Sequence, residues 1–257
     1  MLIRIIGGGP GGLYLAALLK KSQPQRNVEV LERNSPDDTF GFGVVFSDAT
    51  LDNIAEADPE THRAIRANFA HWDDIDVHYG GQLHRSTGHG FAGLSRKRLL
   101  KVLQTRCAAL GVDLKYGVDA APESVRDGCD LVVAADGLNS RIRSHFAPFF
   151  RPEIDLRPNR FTWLGTTKQF QAFTFYFKEN EHGLWRVHAY NFENGLSTFI
   201  IETSEAAWRQ SGMCEASEDE TRLYCEKLFA DELEGHSLLT NRSIWRQFPT
   251  VRNGAWS

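Results

Sequence analysis

The stretch Ile3-Arg-Ile-Ile-Gly7-Gly-Gly9-Pro10-Gly-Gly12 constrains this chain more than any other. A short apolar run enters G-x-G-x-x-G directly, and the helix-like run Leu13-Tyr-Leu-Ala-Ala-Leu-Leu19 follows. Val28-Glu-Val-Leu-Glu32 then supplies a second strand ending in an acid. Strand, glycine turn, helix, strand and acid in this order form the context of a dinucleotide site. Gly7 permits a tight turn, Gly9 lets the backbone approach a pyrophosphate, and Gly12 lets the helix pack close to the strand. Pro10, inside the turn, is grouped with them as a cofactor-binding position. The helix N-terminus points free N–H groups and a partial positive charge at the phosphates. Glu32 would accept hydrogen bonds from a ribose diol. The competing role for these residues is a plain glycine-rich turn between a strand and a helix.

A chain of 257 residues can form one large domain or two smaller ones. Its 42% hydrophobic and 24% charged content is ordinary for a globular enzyme. A net charge of −4 gives no electrostatic case for a nucleic-acid partner. No apolar run approaches the about 20 residues that span a bilayer, so no membrane partner is expected. Met1 leads straight into the first strand, so no secretory or transit segment is expected either. Cys107, Cys129, Cys214 and Cys225 show no C-x-x-C spacing. Cys107 and Cys129 stand in apolar surroundings and read as buried free thiols. A cytoplasmic location is the corresponding expectation. The histidines are scattered without H-x-x-x-H or H-E-x-x-H, so no metal site is expected.

Leu2–Ile6 reads as a strand, Gly11–Lys21 as a helix and Asn27–Glu32 as a second strand. Ser47 can cap a helix to about Ala57, and Pro59 can start another to about Phe69. Ile75–Tyr79 and Gln82–Arg85 flank Gly80-Gly81, a hairpin signal. Ser95 is a candidate N-cap for Arg96–Leu110, where Leu99, Leu103, Cys107 and Leu110 share a face. Gly111 closes that helix and Val112–Tyr116 is a strand. Asp130–Ala135 reads as a strand buried on both faces of a parallel sheet. After Arg151-Pro152 the character changes to four strands, Thr162–Thr166, Ala172–Phe177, Leu184–Phe192 and Leu196–Glu202, expected as an antiparallel meander. Helices follow Ser204 and the capping box Ser217-x-x-Glu220, and 243–257 returns toward extended structure. The fold class is therefore α/β: a Rossmann-like dinucleotide-binding domain with a second, mainly antiparallel β domain. Expected boundaries are 1–158, with a small hairpin near 75–93 lent to the second domain, then 159–242, then 243–257.

A second constellation leaves the apolar strand at 131–135. Asp136-Gly137-Leu-Asn-Ser140-Arg-Ile-Arg143 has the form D-G-x-x-S-x-x-R. An acid at the carboxyl end of a parallel strand sits where doubly wound sheets bind ligands. The alternative is an Asp-Gly turn with Ser140 capping the next helix.

Gly7–Gly12 with Glu32, Arg96-Lys-Arg-Leu-Leu100, and Asp136–Arg143 together resemble the flavoprotein aromatic hydroxylases of the para-hydroxybenzoate hydroxylase class. Gly41-Phe-Gly-Val-Val-Phe-Ser-Asp-Ala-Thr-Leu-Asp-Asn53 and Phe161-Thr-Trp-Leu-Gly-Thr166 are similar to the aryl-CoA branch, the salicylyl-CoA and 2-aminobenzoyl-CoA hydroxylases. The resemblance covers essentially the whole chain. It implies FAD as cofactor and NAD(P)H as co-substrate. It also implies that molecular oxygen is used to hydroxylate an aromatic substrate, a CoA thioester or, as the alternative, a free indole or phenol. It implies that the first motif holds the ADP part of FAD, that Arg96 lies along the ribitol and pyrophosphate, and that Asp136 and Gly137 contact the pyrophosphate region. Arg33 follows the acid, where the family often has a basic residue for the nicotinamide cofactor; a solvated surface arginine is the other option. The antiparallel strands would form the substrate side of the pocket. Trp163, Phe173, Phe175 and Tyr190 suit an aromatic ring, with core packing as their competing role. His188 is a candidate to approach that ring, and Arg85, Arg160 and Lys168 to meet a CoA phosphate. One departure stands out: these enzymes carry a further Gly-Asp motif at the flavin, and nothing here matches it. The chain is thus expected to be part of a longer enzyme, and a nucleotide-binding fragment without turnover is a further alternative.

Overall fold

A computed structural model of the chain describes residues 1–39 and 41–256. The first half alternates strands and helices: β1 (Leu2–Ile6), α1 (Pro10–Ser22), β2 (Asn27–Glu32), β3 (Gly43–Ser47), α2 (Asp48–Ala57), α3 (Pro59–Arg66), β4 (Ala70–Trp72), β5 (Ile75–Tyr79), β6 (Gln82–Ser86), β7 (Phe91–Ser95), α4 (Arg96–Leu110), β8 (Asp113–Tyr116) and β9 (Leu131–Ala134). Short helices α5 (Arg141–His145) and α6 (Ala147–Phe150) lead to β10 (Pro152–Thr166), β11 (Phe173–Asn180), β12 (Gly183–Glu193) and β13 (Leu196–Thr203). Then come α7 (Glu205–Gln210), α8 (Glu218–Leu228), α9 (Ala230–Leu233), β14 (Leu238–Leu239) and β15 (Arg246–Asn253).

Strands β8, β2, β1 and β9 form a parallel sheet in that order. Its core joins Ile3, Ile5, Val28 and Val30 to Leu13, Ala16 and Ala17 of α1 and to Leu99, Leu103 and Cys107 of α4. The spacing of the α4 residues is the apolar stripe expected from the sequence. Cys107 Sγ donates to Leu13 O at 3.1 Å and so ties the two helices. Burial pushes its thiol up to about 11, which keeps it protonated and unreactive. Cys129, expected to be buried as well, is only partly so.

Two expectations fail here and one holds in position only. Ser95 stands at the N-cap of α4, but its side chain makes no capping hydrogen bond; Arg96 N finds Phe42 O at 2.9 Å. The helix after Pro59 stops at Arg66, short of Phe69. Strand β9 is not buried on both faces: Leu131 is 48% exposed. It lies at the edge of the sheet and pairs only with β1 among the described residues.

The second sheet runs β14-β10-β13-β12-β11-β5-β6, and β15 also pairs with β10. Only β11, β12 and β13 form the expected meander; β10 lies beyond β13 rather than beside β11. The β5–β6 hairpin turns at Gly80 (φ 57°) and Gly81 (φ 75°), the left-handed pair that a type I′ turn demands. This hairpin joins the second sheet through parallel pairing of β5 with β11, Ile75 opposite Phe173. One face of the sheet presents Leu164, Tyr176, Trp185, Val187, Phe199 and Ile201 to a core with Cys225, Phe229 and Leu233 of the following helices. The capping box Ser217–Glu220 forms as expected. A third sheet, β3-β7-β4, is antiparallel and did not register in the sequence as strands.

Candidate active site

The glycine turn divides into packed and open positions. Gly7 has φ +112°, and a Cβ there would meet Ala135 O at 2.3 Å. A Cβ on Gly12 would stand 2.0 Å from Gly7 O. These two glycines let β1, α1 and the end of β9 close together. Gly9, the N-cap of α1, has an extended backbone (φ −72°, ψ 175°) that any residue adopts. Nothing lies within 4 Å of its Cβ position, or of that of Gly11. The mouth of α1 is therefore open. Pro10 opens the helix, and no acid occupies its first turn, so its positive end faces the open side of the turn.

Glu32 closes one side of this cradle. Its Oε2 accepts from Gly8 N (2.7 Å), and its Oε1 from Asn34 N (2.8 Å) and Asn34 Nδ2 (2.7 Å). A carboxylate offers about four acceptor positions, so one remains on Oε2. Arg33 beside it is exposed.

Asp136 closes the other side. Its backbone N lies 2.9 Å from the Cβ position of Gly7. Oδ2 accepts from Ile142 N at 3.2 Å, while Oδ1 is buried without a partner among the described residues. Gly137 (φ 84°) turns the chain away, and Ser140 caps α5 by accepting from Arg143 N. Arg96, first residue of the helix packed along α1, has a buried Nε without a partner. Burial lowers its pKa, and it forms no ion pair among the described residues. A buried cation and a buried carboxylate oxygen left unpaired are both costly. Together with the open cradle they fit a dianionic, hydroxyl-bearing ligand such as the diphosphate and ribitol of a flavin dinucleotide.

The other face of the second sheet is half-buried along one row. Strand register aligns Phe175, His188, Ile200 and Trp163 in one row across β11, β12, β13 and β10. All four are half-buried. The rings of His188 and Phe175 lie 4.9 Å apart. Burial lowers the His188 pKa, against the pull of Glu202 at 4.0 Å; nearby Arg186 also lowers it. Trp163 packs over Gly41, where a Cβ would come 3.3 Å from its ring. Tyr190 stands apart from this row. It is 4% exposed, stacks on Trp72, and donates its hydroxyl to Gly43 O at 3.0 Å. Burial pushes its pKa up to about 12.

The structure thus gathers Gly7, Gly9, Pro10, Gly12, Glu32, Asp136 and Gly137 at one mouth, and His188 and Trp163 on one row. Arg85, Arg160 and Lys168 are engaged elsewhere. Arg85 grips Asp76 through two hydrogen bonds, Arg160 pairs with Glu205 over Trp208, and Lys168 bridges Glu234 and Glu232 O. Sequence reasoning assigned no role to Phe42 and Gly43. Gly43 N donates to Thr198 Oγ1 at 3.2 Å, and a Cβ there would strike Phe192 at 2.3 Å. The glycine spacing 41-x-43 was the available signal. Asp48, His71 and Asp73, distant in sequence, bring ligand-type atoms within 4.8 Å of one another. All three are exposed, and the 3.2 Å pair of His71 with Asp48 accounts for part of that clustering.

Residues 3–158 match the family model described as "Lycopene cyclase protein". Over its full length the chain is 44% identical to salicyloyl-CoA 5-hydroxylase of a Streptomyces species, 51% of which it covers. It is 31% identical, again over its full length, to 3-hydroxy-4-methyl-anthranilyl-[aryl-carrier protein] 5-monooxygenase of Streptosporangium sibiricum, covering 69% of that protein. Among solved structures, 2-methyl-3-hydroxypyridine-5-carboxylic acid oxygenase in its tetrameric form superposes with a TM-score of 0.76 at 17% identity, over all of this chain and 72% of the other. The chain belongs to the FAD-dependent aromatic hydroxylases, and through residues 3–158 to the family that the lycopene cyclase model describes. It spans about half the length of the salicyloyl-CoA enzyme it matches, 51%.

Proposed function

We propose that this chain carries the FAD-binding and substrate-facing parts of a monooxygenase that hydroxylates an aromatic ring presented as an acyl thioester. The observation that carries this reading is the pair of buried polar atoms, Arg96 Nε and Asp136 Oδ1, that have no partner among the described residues, together with the open Gly9–Gly11 cradle. When bound, FAD supplies the redox chemistry that activates molecular oxygen, with NAD(P)H as the proposed electron source. The protein's own work is binding, orientation and exclusion of water. The free N–H groups at the start of α1 hold the diphosphate, and Arg96 neutralises it. Glu32 accepts from a ribose hydroxyl with its remaining position, and Asp136 Oδ1 from a hydroxyl nearer the flavin. Gly7, Gly12 and Gly137 keep these elements close enough to act together.

Phe175, Ile200 and Trp163 offer a half-buried apolar seat for the substrate ring. His188 in the same row is neutral near pH 7, so it can accept a proton from a ring hydroxyl or donate a hydrogen bond to it. Tyr190 serves as a strut rather than a substrate contact. Arg33, exposed beside Glu32, is available to a phosphate of the nicotinamide nucleotide. The thioester substrate class is supported by the names of the two relatives. The four free cysteines favour a reducing compartment, and among the described residues no helix is long and apolar enough to cross a membrane.

Flavin absorbance that survives desalting tests the cofactor. A colourless protein whose melting temperature FAD does not raise would reject it. With flavin bound, NAD(P)H oxidation stimulated by aryl-CoA thioesters over the free acids tests the substrate class. Bound flavin with no stimulated oxidation would reject turnover by this chain and leave flavin binding standing.

A further inference from the structure

We infer that the groove along the first two turns of α4 holds the phosphorylated adenosine end of a coenzyme A thioester. Lys97, Arg98 and Lys101 line a 260 Å³ groove, and among the described residues none of them forms an ion pair. That separates them from Arg85, Arg160 and Lys168, whose charges are met by acids of the chain itself. Lys97 and Lys101 stand four residues apart on one helix face, beside the positive end of the α4 dipole. Two carboxylates, Asp37 and Glu193, share the groove without pairing to the cations. They limit the attraction for a bare anion and offer acceptors for ribose hydroxyls and an adenine amine.

Ser95, Arg98 and Glu193 also line a second groove of 400 Å³, so the two are continuous. The second has a different chemistry. Asn68, Gln169 and Asn194 present amides, and Phe69 and Phe192 an apolar wall. Amides beside apolar carbon suit a pantetheine arm, which alternates the two. Phe192 of this groove packs against Gly43 and stands two residues along β12 from Tyr190 and four from His188. Phosphates at one end, pantetheine in the middle and the thioester toward the His188 row is the order such a ligand has. Three unpaired cations clustered in one groove favour a free multi-phosphate over a carrier protein, which brings a single phosphate. The inference rests on the flavin monooxygenase reading only for the thioester's chemistry.

The test is calorimetric titration of the FAD-loaded chain with coenzyme A at low salt, alongside dephospho-coenzyme A and NADPH. Coenzyme A should bind, its affinity should fall with added salt, and removal of the 3′-phosphate should weaken it several-fold. Lys97→Glu with Lys101→Glu should weaken it at least tenfold at an unchanged melting temperature. Should that pair fail to fold, Lys101→Gln alone should give a several-fold loss. Binding of FAD without coenzyme A overturns this inference and leaves the flavoprotein reading intact. Binding of coenzyme A without FAD does the reverse. Displacement of coenzyme A by equimolar NADPH, or equal affinity in the charge-reversed variant, assigns the groove to another ligand and overturns the inference.

Discussion

The hydroxyl of Tyr190 donates to the carbonyl oxygen of Gly43 at 3.0 Å, in a contact buried between the second sheet and the start of β3. The same glycine donates its N–H to Thr198 Oγ1, so both its backbone groups are met by the sheet. Tyr190→Phe removes the donor and leaves a buried carbonyl unsatisfied, at a cost of about 1–3 kcal/mol. Chemical denaturation should show a lower midpoint at constant slope. A change under a few tenths of a kcal/mol would mean the contact is not made in solution.

Gly9 and Gly12 should respond in opposite ways. Gly12→Ala forces a Cβ to within 2.0 Å of Gly7 O and should destabilise the fold outright. Gly9→Val meets no atom within 4 Å and an extended backbone that tolerates it, so the melting temperature should hold. Its branches fill the cradle, and FAD affinity should fall at least tenfold. Retained FAD affinity in a folded Gly9→Val protein would place the diphosphate elsewhere.

Arg96 carries charge into a partly buried position with no acid among the described residues to meet it. Arg96→Met should therefore leave the flavin-free protein as stable as before, or more so. FAD affinity should drop at least tenfold, about 1.4 kcal/mol. Loss of apo stability would instead mark Arg96 as structural.

Asp58, 1% exposed, is gripped by Arg106 through Nε to Oδ2 (2.8 Å) and Nη2 to Oδ1 (2.9 Å), and by Thr61 Oγ1 at 2.7 Å. Burial pushes its pKa up, but these partners outweigh it and hold the pKa below the usual carboxylate value. The stabilisation is present above the unfolded value of about 3.9 and is lost as pH falls through the lower folded value. Arg106→Met strands a buried charge and should cost about 3–5 kcal/mol at pH 7. Melting curves of the variant and the parent should converge as the pH drops below 4, once Asp58 is protonated.

His188 has its pKa lowered first by burial. Its folded value is below its unfolded one, so its contribution is complete above about 6.5 and is lost as pH falls. NMR titration should give it a midpoint below about 6.5. A midpoint above that value would show Glu202 dominating and would remove a neutral base from the ring seat.

The glycine turn, the Ser217 capping box and the Gly80-Gly81 hairpin were legible because each is settled by residues near one another in sequence. Asp136 was legible for the same reason, as the end of an apolar run. The row Phe175–His188–Ile200–Trp163 was not. It depends on β10 pairing with β13 across an intervening hairpin, and local periodicity carries no information on which strands become neighbours. The exposure of β9 escaped likewise, since an apolar run reports composition and not a place in the sheet order. That Arg85, Arg160 and Lys168 pair with acids of the chain itself was not legible either, because a side chain's partner is a tertiary fact. Phe42 and Gly43 needed the docking of β3 to acquire meaning.

Strand β5, encoded before residue 80, adds itself in parallel to β11, encoded a hundred residues later. The N-terminal half thus lends a strand to the sheet of the other half. Melting of the first half strips that strand from the sheet of the second, so denaturant should produce one transition for the whole chain. A protease cut within the 117–130 loop should leave two pieces that remain clasped rather than two independent bodies.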